Sequence, residues 1–161
     1  MNPFKFLLRK YYHLSKNAIQ LGRAFYYAHL FKNFGKKSRV LGHIYVISPE
    51  KIDIGNNSIL NEGVILNAYW GIKIGNNVHI STQAQILTAF LEKKPNPDGK
   101  RQHEGKGIVI EDGVWIGAGA IINPGVTIGK NTIIGAGAVL TKNAKSNSVY
   151  VGIPAILKNS I

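Results

Sequence analysis

Histidine is the residue type in this chain best suited to proton-transfer chemistry near neutral pH. The 161-residue sequence contains five histidines and no cysteine. A thiolate nucleophile, a thiolate metal site and a disulfide are therefore excluded. An imidazole can act as a general base towards a hydroxyl group. The candidates are His13, His29, His43, His79 and His103.

The elements that must position these imidazoles follow a six-residue period between Ile110 and Ala144. A large aliphatic residue opens each block, at Ile110, Ile116, Ile122, Ile128, Ile134 and Leu140. Four places later comes a small or β-branched residue, at Val114, Ala120, Val126, Thr132, Ala138 and Ala144. This period is typical of a parallel β-helix, in which each block supplies one short strand and one turn. We expect the aliphatic side chains to fill the interior and the small ones to fit its corners.

The same period organises most of the chain. Earlier blocks open at Ile54, Leu60, Leu66, Ile74, Ile80 and Ile86, and residues 38–53 give an imperfect first coil. Residues 89–107 are polar and rich in Pro and Gly, so we predict an unstructured loop inserted into the coil. We expect a helical segment at 1–37, four or five three-strand coils over 38–146, and a closing segment at 147–161.

The N-terminal segment is strongly basic. The formal net charge of the chain is +12, and the first acid is Glu50. Residues 1–39 contain nine basic residues, Lys5, Arg9, Lys10, Lys16, Arg23, Lys32, Lys36, Lys37 and Arg39. No stretch has the roughly 18 apolar residues of a membrane span, and no secretory signal is evident. Together with the absence of cysteine, this predicts a cytoplasmic protein.

Residues 3–33 predict one amphipathic helix. Its apolar stripe is Phe4, Leu7, Leu8, Tyr11, Leu14, Ala18, Leu21, Phe25 and Ala28, with Lys5, Arg9, Lys16 and Arg23 opposite. The stripe could pack on the end of the coil or on another subunit, with the charged face in solvent. It could equally lie on an anionic membrane at its inner face. Nucleic-acid binding is a third interpretation, but no recognisable motif accompanies the basic residues, so we expect none.

The blocks within residues 54–155 resemble the hexapeptide-repeat acyltransferases, in particular the sugar and polysaccharide O-acetyltransferase branch. The resemblance implies an all-β, left-handed parallel β-helix that is closed by the turn Gly152-Ile153-Pro154-Ala155. It implies homotrimers with active sites between subunits. The implied reaction is transfer of an acetyl group from acetyl-CoA to a sugar hydroxyl, with a histidine base, no metal and no covalent intermediate. Surface polysaccharide or glycolipid assembly is the implied setting.

The resemblance also indicates where the base should lie. Relatives carry a histidine shortly after a Thr-Ala pair, and this chain has Leu91 at that position. His103, near the far end of the loop, lies where some relatives carry theirs, so we predict it as the general base. His79 and His43 are alternative bases. Another alternative is that His103 is an exposed loop histidine with no role in the reaction. We interpret His13 and His29 as surface or packing residues.

Other site residues are carried over from the family in the same way. Asn61 matches an active-site asparagine that would hold the oxyanion or the acceptor, and Asn67 and Tyr69 are predicted to contact the sugar. Ala118 and Ala136 would line the pantetheine arm of acetyl-CoA. Thr141, Lys142 and Lys158 would complete this site, the lysines by meeting phosphates.

Three other functions compete with this interpretation. A γ-type carbonic anhydrase needs three zinc-binding imidazoles with two closely spaced, and His43, His79 and His103 lack that spacing. A catalytically silent scaffold or binding subunit remains an alternative because of Leu91. Transfer to a sugar amine rather than a hydroxyl is the other alternative.

Overall fold

A computed structural model describes residues 3–161, without the side chains of residues 3–9, 13, 14, 16 and 17. The described side chains thus do not include several residues of the predicted helix, namely Phe4, Lys5, Leu7, Leu8, Arg9, His13, Leu14 and Lys16. The chain begins with helix α1 (Pro3–Leu30), which ends three residues before the predicted boundary. A short 3-10 turn occupies Pro49–Lys51. Within the described part, no helix has the length and hydropathy of a membrane-spanning segment.

A parallel β-helix follows, as the six-residue period predicted, and it is left-handed, as the family resemblance implied. Its strands are β1 (Asn33–Phe34), β2 (Arg39–Leu41), β3 (Tyr45–Ile47), β4 (Ile52–Ile54), β5 (Ile59–Asn61), β6 (Ile65–Asn67), β7 (Ile72–Ile74), β8 (His79–Ile80), β9 (Gln85–Leu87), β10 (Ala89–Leu91), β11 (His103–Gly105), β12 (Ile108–Ile110), β13 (Trp115–Ile116), β14 (Ile121–Ile122), β15 (Thr127–Ile128), β16 (Ile133–Ile134), β17 (Val139–Leu140), β18 (Ser148–Val151) and β19 (Ile156–Ser160).

The strands form three faces of a prism. Face A contains β1, β4, β7, β12 and β15; face B contains β2, β5, β8, β13, β16, β18 and β19; face C contains β3, β6, β9, β14 and β17. Consecutive coils pair in parallel and in register, for example Ile54 with Ile74 and Ile74 with Ile110. Five coils are complete, and β18 begins a sixth before β19 turns back antiparallel to it.

The interior is built from the residues that the period selected. The six aliphatic residues that open the blocks from Ile110 to Leu140 are all buried, as are the six small residues from Val114 to Ala144. Stacked coils bury one another's apolar side chains, so the core is a continuous column along the prism. At the corner between faces A and B, Asn57 and Asn77 adopt positive φ, and the Asn57 amide donates to Asn77 Oδ1 at 3.1 Å.

The inserted stretch is more ordered than predicted. Strands β10 and β11 pair as an antiparallel hairpin, which we call the arm. Arg101 Nη1 donates to the carbonyl oxygens of Glu92 and Lys93, which closes the arm beyond the paired strands. Strand β12 then pairs with β7 as the next coil would without an insertion. Backbone pairing therefore gives this polar segment a defined direction, which composition alone did not indicate.

Helix α1 contacts the first coil through the side opposite its predicted apolar stripe. Tyr27 and Phe31 are buried and join the core cluster that includes Val40 and Ile44. The described members of the stripe are all exposed, namely Tyr11, Ala18, Leu21, Phe25 and Ala28. Helix α1 therefore packs on the first coil, which was one of the alternatives, but it does so through the side opposite the described part of the stripe.

Candidate active site

The end of the arm that joins the coil is fixed by a small hydrogen-bond network centred on Thr88. Its hydroxyl donates to the carbonyl of Asn67 at 2.7 Å and accepts from the backbone N–H of Trp70 at 3.1 Å. The Thr88 carbonyl in turn accepts from the N–H of Lys106 at 3.0 Å. Gly105 lies so close to this carbonyl and to the Trp70 ring that any side chain there would overlap them. Both ends of the arm are thus held at one corner, between faces C and A.

His103 projects from the arm directly across from Leu91. The two residues are paired in the antiparallel register of β10 and β11. Cross-strand neighbours of this kind have Cβ atoms about 5 Å apart. The imidazole of His103 stacks towards Tyr69, with ring centroids 6.4 Å apart and an interplanar angle of 16°. Neither ring nitrogen has a hydrogen-bond partner among the residues that the structure describes, so both can engage a ligand.

Tyr69 is itself held in place by contacts with the preceding coil and with its own turn. Lys51 Nζ donates to the Tyr69 carbonyl at 2.9 Å and lies 5.4 Å from the centroid of the tyrosine ring. The backbone N–H of Tyr69 donates to Asn67 Oδ1 at 3.4 Å. The exposed Tyr69 ring and the His103 imidazole therefore form one continuous aromatic surface.

Asn61 lies elsewhere, on face B, and its partner is a different histidine. The amide nitrogen of Asn61 is 2.9 Å from both His79 Nε2 and the carbonyl oxygen of Ile80. An amide nitrogen only donates, so His79 Nε2 accepts and the neutral imidazole carries its proton on Nδ1. Both amide hydrogens are used, and the side-chain oxygen Oδ1 of Asn61 has no partner within the described part of the chain. Asn61 therefore presents an acceptor, which suits a hydroxyl donor better than an oxyanion.

Ala118 and Ala136 stack in successive coils at the corner between faces B and C. The N–H of Gly137 donates to the carbonyl of Ala118 at 2.8 Å. Both alanines are exposed, and a methyl group added to Gly119 or Gly137 would meet nothing within 4 Å. This corner is consequently an open shelf of small residues along which an extended chain could lie against backbone.

The shelf continues upward into a groove that the sequence did not indicate. The groove has a volume of about 950 Å³ and runs along the same corner to Gly119. Its polar lining includes His43, Glu62, Thr82, Gln83 and Gln85. His43, one of the alternative bases, therefore lies in this groove. The other four residues occupy outward positions, and only the inward positions follow a strict pattern, so sequence periodicity could not single them out.

The remaining predicted residues divide between the two sides of face C. Thr141 and Lys142 are exposed and follow β17, below the arm at the corner between faces C and A. Lys158 is exposed on β19, at the end of face B. One chain therefore brings Asn67, Tyr69 and His103 together at one corner, and Asn61 and His79 together beside another. No cluster of three metal-ligating side chains occurs among the described residues.

Comparison with known proteins agrees with this architecture. Residues 107–142 match the family model described as bacterial transferase hexapeptide (six repeats). No protein of curated function gives a significant sequence match. A maltose O-acetyltransferase from Clostridium difficile 630 is 35% identical, with a TM-score of 0.78 over 84% of this chain and 72% of that one.

Two further solved structures carry coenzyme ligands. A hexapeptide-repeat acetyltransferase from Vibrio cholerae O1 biovar eltor, complexed with acetyl coenzyme A, is 30% identical, with a TM-score of 0.78 over 83% of this chain and 73% of that one. A galactoside acetyltransferase in complex with coenzyme A is 26% identical, with a TM-score of 0.70 over 84% and 68%. The chain belongs to the hexapeptide-repeat acetyltransferases, within the maltose and galactoside O-acetyltransferase family.

Proposed function

We propose that this protein transfers an acetyl group from acetyl-CoA to a hydroxyl group of a sugar, with His103 as the general base. Membership of the family makes the chain an acetyl-CoA-dependent acetyltransferase. The identity of the base and the sugar acceptor are our inference. The observation that supports the inference is the pairing of His103 with Leu91, because Leu91 occupies the position at which the family resemblance implies a histidine.

The proposed step needs only the residues already described. The imidazole of His103 takes the proton of the acceptor hydroxyl while its oxygen attacks the thioester carbonyl carbon. The tetrahedral oxyanion collapses, the carbon–sulfur bond breaks, and the coenzyme A thiolate leaves. The proton passes from the imidazolium to the thiolate. The products are an O-acetyl sugar and coenzyme A, and the imidazole is returned to its neutral form.

We propose that the acetyl-CoA pantetheine arm lies on the shelf of Ala118 and Ala136, and that Lys142, Thr141 and Lys158 meet the nucleotide end. Support comes from the open space above Gly119 and Gly137 and from the exposure of both lysines. Ammonium groups near a flexible phosphate end add charge-assisted contacts without requiring a rigid pocket.

A trimer would complete this site by bringing two corners together. Within one chain, the arm with His103 and the shelf with Asn61 lie on opposite sides of face C. The polarity of the faces supports burial of face C between subunits. Outward residues of face A include Asn33, Asp53, Lys73 and Thr127, whereas those of face C include Tyr45, Ile65, Ile121 and Val139. We therefore propose that the arm of one subunit reaches the groove of its neighbour.

The acceptor in this arrangement is a sugar held between two surfaces. The exposed ring of Tyr69 can stack on a sugar ring beside His103, with Asn67 supporting Tyr69. The carbonyl oxygen of Asn61 from the facing subunit can accept a hydrogen bond from a sugar hydroxyl. We propose a cell-surface polysaccharide or glycolipid precursor as the acceptor class, modified at the cytoplasmic side of the membrane.

Release of coenzyme A thiol in the presence of a panel of glycosides and amino sugars tests the proposal. We expect turnover with glycosides, loss of turnover in His103→Ala, and acetyl esters in the product by mass spectrometry. Products carrying acetyl amides would instead indicate an N-acyltransferase. No thiol release with any acceptor, from protein that binds acetyl-CoA, would contradict the proposed activity and favour a binding subunit.

A further inference from the structure

We infer that helix α1 docks this protein on an anionic lipid surface through its outward apolar stripe, which comprises Tyr11, Ala18, Leu21, Phe25 and Ala28. The spacing of three, four and seven residues aligns these side chains along one side of the helix. Leu21 is 73% exposed, Phe25 70% and Tyr11 72%. An exposed row of this kind differs from scattered apolar residues and indicates an interaction surface.

The rest of the molecule leaves this row accessible. Tyr27, which together with Phe31 attaches the helix to the first coil, lies about 160° around the helix from Phe25 and about 120° from Leu21. The coil therefore sits behind the helix. The 28 residues of α1 span about 42 Å, and among the described side chains the buried helical contact is confined to its C-terminal end. A flat surface can meet the stripe without first meeting the coil.

The charge of the chain favours an anionic bilayer over a second copy of the chain as the partner of this stripe. Residues 1–49 contain no Asp or Glu, and the chain as a whole carries a formal charge of +12. Lys10 lies on the same side of the helix as Leu21, and Lys32 follows the last turn; both are exposed. A second copy of the chain would bring the same excess of positive charge to the stripe. An anionic bilayer attracts these lysines and takes up the apolar side chains together.

The composition of the stripe fits shallow insertion. Tyr11 and Phe25 are aromatic, and Tyr26, 59% exposed, lies beside them. Aromatic rings of this kind are favoured at the level of lipid headgroups, where one edge is apolar and the other is hydrated. Single exposed apolar residues bind membranes weakly, but an assembly that carries several copies of the helix on the same end would bind more tightly.

Flotation of the full-length protein with phosphatidylcholine vesicles, with and without phosphatidylglycerol, tests the inference. We expect binding to the anionic vesicles alone and release as salt is raised from about 0.05 M to about 0.5 M. The double variant Leu21→Ser, Phe25→Ser should bind at least roughly tenfold more weakly, since two exposed side chains that would enter the lipid are lost. Ile161→Ser, an exposed apolar change at the other terminus, is the matched control and should bind like the parent protein.

The test separates this surface from the proposed activity. Coenzyme A release with a water-soluble glycoside should be unchanged in the double variant, because neither Leu21 nor Phe25 is among the residues of the proposed site. Absence of binding to anionic vesicles at low salt, or equal binding by the double variant, would overturn the inference. A lower oligomeric mass of the double variant in light scattering would also overturn it, because the stripe would then be a contact between copies.

Discussion

Leu91 and His103 face each other across the two strands of the arm, as paired residues of an antiparallel ladder. The family resemblance implies a histidine at the first of these positions, and this chain has its histidine at the second. Because paired positions of two adjacent strands are neighbours in space, the imidazole is available from either strand. A departure from the family pattern that appears severe along the sequence is therefore small in the folded arm.

This relationship predicts a rescue by exchange. His103→Ala should lower kcat by roughly 10²–10⁴-fold, the usual contribution of a general base. The exchanged variant Leu91→His, His103→Ala should recover part of that loss, since it returns an imidazole to the neighbouring position. Steady-state release of coenzyme A thiol measures both.

The control for this exchange is His29→Ala, which removes an exposed histidine whose Nδ1 contacts only the Phe25 carbonyl of its own helix. We expect activity like that of the parent protein. Full activity of His103→Ala would remove this residue from the mechanism, and His79 would then be the next candidate.

The contact between Asn61 and His79 predicts an effect on acceptor binding rather than on chemistry. His79→Ala frees one amide hydrogen of Asn61 and lets the side chain rotate, which should raise KM for the sugar by about threefold to tenfold. His79→Gln keeps an acceptor towards the amide and should restore most of the affinity. A fall in kcat alone, with KM unchanged, would show that His79 does not orient Asn61.

The open shelf of Ala118 and Ala136 predicts that a larger side chain there will hinder coenzyme A binding. Ala136→Leu should weaken coenzyme A binding by roughly tenfold, about 1.4 kcal/mol, because the larger side chain occupies space next to the backbone. Ala136 is exposed, so thermal stability should change little. Isothermal titration with coenzyme A measures the effect, with Ala18→Leu on the exposed side of helix α1 as the control. Equal affinities of both variants would place the pantetheine elsewhere.

The buried phenol under helix α1 predicts a loss of stability at high pH. Burial raises the pKa of Tyr27 above its ordinary value, and the neighbouring Tyr26 acts in the same direction. Above about pH 10 the unfolded chain releases the Tyr27 proton while the folded chain retains it, so folding becomes less favourable as the pH rises.

Replacing Tyr27 by Phe should remove this contribution. The difference in melting temperature between parent and Tyr27→Phe should therefore shift in favour of the variant between about pH 8 and about pH 11. Thermal unfolding monitored by circular dichroism measures the shift. A constant difference over this range would show that the phenol titrates equally in both states.

Sequence periodicity predicted the coil well because its inward positions obey one geometric rule in every block. Ile116, Ile122 and Ile134 are completely buried, as expected of side chains that point into a narrow prism. Outward positions obey no such rule, so Glu62 and Gln83 in the groove carried no signal. The structure made them visible by stacking coils that are far apart in sequence.

The arm and the helix were harder to predict for a different reason. Pro, Gly and charged residues dominate residues 92–102, which hides the short paired strands on either side. The apolar stripe of α1 was recognisable from its spacing, but spacing does not state which surface the stripe meets. Tyr27 and Phe31 attach the helix from the other side, and only tertiary contacts reveal this choice.

The coil closes beneath the arm without a change of register, as the pairing of Ile108–Ile110 with Ile72–Ile74 shows. The coil is thus a rigid scaffold, and the arm is an insertion that its backbone pairing does not depend on. Changes in the length or sequence of this inserted segment would require no adjustment of the strand ladder below it. New acceptors would be acquired by altering about 20 residues while the framework that holds the donor is inherited intact.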